Sequence, residues 1–229
     1  TGCKIILLEA EWYPNETIKQ SYANAAQSIC PSVEVKHLDG RKAENRELAW
    51  AAADIFSSFA DNIQETFGIT PVEAMAAAMP VVVSDWNGYK DTVRDGEDGY
   101  RIPTTMPNSG LGTDLALRHA MGIDSYDVYC GHTSSLVAVD INAATEAFKR
   151  LISDPPLRRK MGAAAQKRAK AIYDWSKIIP RYEELWRMLR ERRNAQKTKE
   201  IDSDLVYNWP NRPDPFKTFS HYASSVLKE

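Results

Sequence analysis

The chain has 229 residues, enough for one full hydrophobic core with length to spare for an insertion or a tail. Charged residues make up 26% and apolar ones 43%, the mix of a soluble globular protein, and a net charge of -2 gives no global electrostatic case for nucleic acid as a partner. The longest apolar stretch, Ala74 to Val83, is interrupted by Pro80 and is too short to cross a bilayer. The opening residues TGCKIILLEAEW lack a basic segment followed by a long apolar one, so no secretory leader is read there. Cys3, Cys30 and Cys130 match neither a disulfide framework nor a zinc pattern, and such spacing suits a reducing cytosol. A cytoplasmic protein is the expectation.

In chain order, the short apolar run Lys4 to Leu8 predicts a central parallel strand. Asn15 to Cys30 predicts a helix closed by Pro31, Val33 to Lys36 a second strand, Glu44 to Ala53 a second helix and Asp54 to Phe59 a third strand. Pro71 to Ala78 follows as a helix, Pro80 to Ser84 as a fourth strand, Tyr89 to Arg94 as a short helix and Tyr100 to Ile102 as a fifth strand. This alternation predicts the α/β class, an open, mostly parallel Rossmann-like sheet with helices on both faces.

Residues 104–139 fit no period, apart from a short helix from Asp114 to Met121, and read as a long insertion. Loops of that length are functional, or they merely cover surface; both readings stand. Beyond it, Ile141, Ala144, Phe148 and Leu151 recur at helical spacing behind Asp140, a good amino-terminal cap. Asp154-Pro-Pro breaks that helix; Met161, Ala165, Arg168 and Ile172 mark the next, and Ile178, Tyr182 and Leu189 a third. Six basic residues against one acid between Arg187 and Lys199 read as a solvated helix end, with a peripheral membrane contact as the alternative. Domain boundaries are expected at 1–199, with 200–229 as a tail laid over a surface.

The chemistry concentrates between Asp54 and Gly99. The polar loop Ala60 to Gly68 leaves the carboxyl end of a parallel strand, where open α/β sheets place ligands. Thr70 as cap, Pro71 at the first helical position and Glu73 three residues on predict a capping box. Amides around Gly68 to Val72 would favour an anion such as a diphosphate, and Gly68 would let a ligand approach the backbone closely. Glu65 and Glu73 flank this turn, and an ionised carboxylate can accept from two adjacent sugar hydroxyls at once.

The segment from Glu65 to Glu73 resembles the E-x7-E signature of the retaining, group 1 glycosyltransferases with two Rossmann-like domains, the GT-B fold. Upstream, Ala53 to Ser58 is similar to that family's preceding strand. Downstream, Glu73-Ala-Met-Ala, Pro80-Val-Val, Ser84-Asp85, Gly88, Asp95-Gly96, Gly99, Met161-Gly162 and Tyr173-Asp174-Trp175 fall in its order. The resemblance covers roughly residues 3–190, the insertion aside, and implies that the expected domain 1–199 binds a nucleotide-sugar donor. It implies that Glu65 contacts the transferred sugar as the catalytic candidate and that Glu73 meets the ribose hydroxyls. Phe67, Gly68, Ile69 and Thr70 would bind sugar and diphosphate, with no metal and no other cofactor. The resemblance also implies that the chain starts one strand late, lacks the family's phosphate-gripping Arg and Lys and its acceptor domain, and is inactive by itself.

Plainer readings stand beside these. Glu73 could serve only its helix cap, and Glu65 could be a solvated loop acid. Trp86 could stack on a ligand or only pack. His37, His119, His132 and His221 form no ligand spacing. A same-fold epimerase and a non-catalytic module for protein contacts are the rival functions. One departure is Ala78, where the family has a left-handed glycine.

Overall fold

A computed structural model describes residues 2–196. It contains β1 (Ile6–Glu11), α1 (Glu16–Ile29), β2 (Glu34–Asp39), α2 (Ala43–Ala52), β3 (Phe56–Ser58), α3 (Ile69–Ala76), β4 (Val81–Ser84), α4 (Tyr89–Thr92) and β5 (Gly99–Ile102). These nine elements are the alternating strands and helices predicted, with shifted ends. The ends move where side chains make a boundary: Asn15 caps α1 by accepting from the Ile18 amide at 2.9 Å.

The expected single sheet is divided. β1 pairs in parallel with β2, and β3–β4–β5 form a separate parallel sheet. No strand of the β1–β2 pair is hydrogen-bonded to one of the β3–β4–β5 sheet among the described residues, so the side of β3 away from β4 has no strand partner. No residue from 2 to 53 is buried.

The core lies around β4, whose four residues are all buried. Val81 and Val83 face a cluster with Ala74 and Met75 of α3, Met79, Tyr89 and Val93, and with Ala165 and Ala169 of a later helix. Val82, pointing the other way, packs with Ile102, Ala144, Ala147, Leu151 and Met161. Alternation along one strand thus puts helices on both faces of the sheet.

The 104–139 insertion is more regular than its sequence suggests. It holds β6 (Thr104–Thr105), α5 (Thr113–Ala120), α6 (Tyr126–Ser134) and β7 (Ala138–Val139), with β6 and β7 antiparallel. The Arg118 guanidinium donates twice to Asp124, at 2.7 and 2.8 Å, and Ser125 caps α6. Polar side chains, not an apolar period, organise this stretch, which is why periodicity failed to find α6.

α7 (Ile141–Ser153) starts at Asp140, which accepts from the Ala143 amide at 2.9 Å. Asp154 then ends α7 and caps α8 (Pro155–Ile172), accepting from the Leu157 amide. Prolines at the first two positions of α8 lose no internal bond there. Gly162 lets α8 close on the end of α3: a Cβ at this position would fall 2.1 Å from the Ala78 carbonyl oxygen. The end of α3 is a paired left-handed turn. The Met79 amide donates to the Ala74 carbonyl and the Ala78 amide to that of Met75, with Ala78 at φ 62°. The turn seen in the sequence as a glycine's place is therefore kept, with alanine in it.

The chain divides after Trp175 into two compact units. The second unit carries all but the first residue of α9 (Trp175–Gln196), in which Arg187 pairs with Glu184 and Glu191. The basic run expected at 187–199 extends this helix to residue 196; residues 197–199 and the tail 200–229 lie outside the described residues. Among the described residues no helix is long and apolar enough to cross a membrane.

Candidate functional site

The site is built where β3, β4 and β5 end. Parallel strands deliver their following loops to one edge, so the loop 59–68 after β3 and the turn 85–88 after β4 lie side by side. Hydrogen bonds fasten them. Ser84 Oγ donates to the Ala60 carbonyl, Trp86 Nε1 to that of Asn62 at 2.9 Å, and Asn87 Nδ2 to that of Glu65 at 3.1 Å. Thr104, at the start of the insertion, donates to the Asp85 carbonyl at 3.0 Å. The other end of the insertion reaches the same loop, because Ser134 Oγ donates to Asp61 Oδ1 at 2.5 Å. The insertion is thus fastened to the candidate ligand loop.

Inside the loop, Asn62 Oδ1 accepts from the amides of Gln64 and Glu65, both at 3.0 Å, a side-chain turn that sets the backbone entering Glu65. The Glu65 side chain is partly buried, with Oε2 lying 3.4 Å from the Tyr89 hydroxyl. That hydroxyl also meets Ser58 Oγ at 3.0 Å. Tyr89 is 1% exposed. Burial pushes its phenol above the ordinary tyrosine pKa; the Ser58 hydroxyl opposes this, and the neighbouring Glu65 charge adds to it. Tyr89 therefore remains a neutral donor at physiological pH.

Gly68 sits at φ 71°, with the Tyr89 ring directly beneath it. α3 begins at Ile69, one residue on, and its cap is Gly68 with no side-chain bond. The expected capping box does not form. Thr70 is the second helical residue instead of the cap, and Glu73 is exposed, its carboxylate making no hydrogen bond or ion pair with any described residue. The reason is Gly68, whose positive φ allows the chain to turn into the helix two residues before Thr70. Two consequences follow. The cap-only reading of Glu73 is removed, and the amides of Ile69 and Thr70 head the helix with no carbonyl four residues back within it.

The remaining expected site residues lie on this turn. Ile69 is 65% and Phe67 45% exposed, and the Phe67 ring meets Tyr173 edge-on at 6.1 Å. Trp86 is partly buried and spends its N–H on the loop, which favours the packing reading over stacking on a ligand. Sequence reasoning missed Asn62, Asn87, Tyr89, Asp61 and Ser134. The signal for all but Ser134 was polar and aromatic residues just beyond the carboxyl ends of two apolar strands.

Residues 16–109 match the family described as Glycosyl transferases group 1. Over 59 residues, 25% of this chain and 15% of the relative, it is 48% identical to the phosphatidyl-myo-inositol mannosyltransferase of Mycobacterium leprae. Over 167 residues, 73% of this chain and 30% of the relative, it is 25% identical to the D-inositol 3-phosphate glycosyltransferase of Corynebacterium diphtheriae. Among solved structures, sucrose-phosphate synthase from Thermosynechococcus elongatus aligns with a TM-score of 0.55 at 20% identity, covering 82% of this chain and 39% of that one. HepE from Anabaena, solved in complex with UDP-glucose, aligns with a TM-score of 0.50 at 19% identity, covering 81% and 41%. The α/β fold, with parallel strands and helices on both faces, is that of these GT-B structures. The chain spans less than half the length of each of these four proteins.

Proposed function

We propose that this chain is the donor-binding portion of a retaining glycosyltransferase, holding a nucleoside diphosphate sugar for transfer to an acceptor. The observation that carries the reading is the state of the Glu65–Glu73 turn. It lies at the carboxyl edge of the parallel sheet, begins a helix with free leading amides, and ends on a glutamate whose carboxylate no described residue engages. The group 1 match over residues 16–109 includes this turn. HepE, which shares the fold, was solved with UDP-glucose.

In this reading the diphosphate sits against the amides of Ile69 and Thr70, where the helix dipole and oriented N–H groups stabilise the leaving charge without requiring a metal ion. Gly68 admits the phosphates to the backbone, and Phe67 borders the sugar. Glu73 accepts from both ribose hydroxyls, and Glu65 contacts the transferred sugar. The acceptor is met by a second Rossmann-like domain outside these residues, so the chain alone binds donor without completing transfer.

Calorimetric titration with UDP, GDP and ADP tests this. One nucleotide should bind, and Glu73→Gln should weaken it about tenfold, because a charge-assisted pair of hydrogen bonds becomes a neutral one. The substitution should weaken nucleotide and nucleotide-sugar alike, since the ribose is common to both. A folded sample that binds none of the three ends the proposal.

A further inference from the structure

Tyr89 is one of the most buried large side chains in the protein, and its hydroxyl touches two polar groups of the site. A phenylalanine would fill the same space beneath Gly68, so packing does not account for the hydroxyl. Proton bookkeeping gives the bonds a direction. An ionised Glu65 carboxylate can only accept, so the phenol proton goes to Oε2 and the Ser58 hydroxyl donates to the phenol oxygen.

Glu65 is then held at three points. Its amide donates to Asn62 Oδ1 at 3.0 Å, its carbonyl accepts from Asn87 Nδ2 at 3.1 Å, and its Oε2 faces the Tyr89 hydroxyl at 3.4 Å. Oε1 has no partner among the described residues. The 3.4 Å separation is long for such a bond, and catalytic hydrogen bonds commonly tighten only when substrate is in place.

We infer that Tyr89 is a positioning residue for Glu65: its phenol proton holds Oε2, leaving Oε1 as the atom that receives a hydroxyl of the transferred sugar. The inference rests on the donor-binding reading above and adds the residue that orients the sugar contact. Tyr89 touches no substrate itself; it acts through Glu65. Ser58, at the tip of β3, orients the phenol in turn.

The test is Tyr89→Phe in the whole chain, titrated with UDP, GDP and ADP and with their glucose and mannose esters. Loss of the phenol proton should weaken the sugar nucleotide about tenfold more than the corresponding nucleotide, as expected for one hydrogen bond to a charged group. A merely structural role would weaken both equally. Equal losses, or none, overturn the inference. Should Tyr89→Phe fail to fold, Ser58→Ala should give the same pattern at smaller size, and its absence there overturns the inference too. Should the wild-type chain bind none of the probes, the donor-binding reading has failed, and hydrogen exchange at residues 62–68 decides about Tyr89. Faster exchange in Tyr89→Phe upholds its hold on the loop; unchanged exchange ends it.

Discussion

The ring of Tyr89 occupies the space that a side chain at Gly68 would need: a Cβ on Gly68 would fall 2.0 Å from Tyr89 Cε1. Gly68 also sits at φ 71°, so any other L-residue meets both overlap and backbone strain. Gly68→Ala should cost about 2–4 kcal/mol, from ~1–2 for the left-handed backbone and the rest from forcing the ring aside. The displaced ring would also carry the Glu65 contact with it. Urea unfolding measures the first effect; a loss under 0.5 kcal/mol (roughly the level of a neutral surface substitution) would show that the ring yields freely.

Ala78 holds a left-handed turn at φ 62° and is exposed, so nothing prevents its replacement by glycine. Relief of ~1–2 kcal/mol of strain, less the ~0.4–1 kcal/mol that glycine adds to unfolded-chain entropy, predicts that Ala78→Gly stabilises the protein by about 0.5–1 kcal/mol. The denaturant midpoint should rise without a change in slope. A fall would mean that the alanine methyl makes a contact the structure does not show.

Asp98 is wholly buried and accepts three bonds from Arg94: from the amide at 3.1 Å, Nε at 2.9 Å and Nη2 at 2.6 Å. Arg168 of α8 approaches the same carboxylate at 3.6 Å and also donates to the carbonyls of Thr92 and Asp91. One carboxylate thus joins the turn before β5 to the helix packed behind it. Asp98→Ala should cost about 3 kcal/mol by leaving these donors without an acceptor. Thermal unfolding of the variant checks this, and a melting temperature within a degree of wild type would refute it.

The alkaline limit follows from Tyr89. Its folded-state pKa lies above that of an exposed tyrosine, so the native state holds the phenol proton more tightly than the unfolded chain. The resulting stability is complete below the ordinary tyrosine value near 10 and is lost as pH rises through the folded value. Stability measured from pH 9 upward should fall less steeply in Tyr89→Phe than in wild type. Parallel curves would place the alkaline loss elsewhere.

Residues 2–53 contain no buried side chain, whereas every residue of β4 is buried. Native-state hydrogen exchange should therefore open β1 and β2 at a lower free energy than β4. Equal protection across both sheets would contradict this ordering.

The alternation of strands and helices was readable because it depends on near-neighbour patterns. Val81-Val-Val is apolar throughout because a central parallel strand is covered on both sides, and Asp140 precedes the α7 apolar period as a cap should. The turn at Ala78 was marked only by the resemblance, in which a left-handed glycine holds that place. The insertion was less so, because α5 and α6 are organised by the Arg118–Asp124 pair and by Ser134 reaching Asp61, 73 residues away in sequence.

Local patterning by itself determined the α/β class and the placing of a glutamate-flanked turn after a parallel strand. Both depend on residues within a few positions of one another. Tertiary structure alone decided that Gly68, not Thr70, caps the helix, which frees the Glu73 carboxylate, and that Tyr89 lies under the loop against Glu65. Helix caps compete with every other bond available to the same groups, and the Tyr89–Glu65 contact spans 24 residues. Only the parallel pairing of β3 with β4 brings those two loops to the same edge.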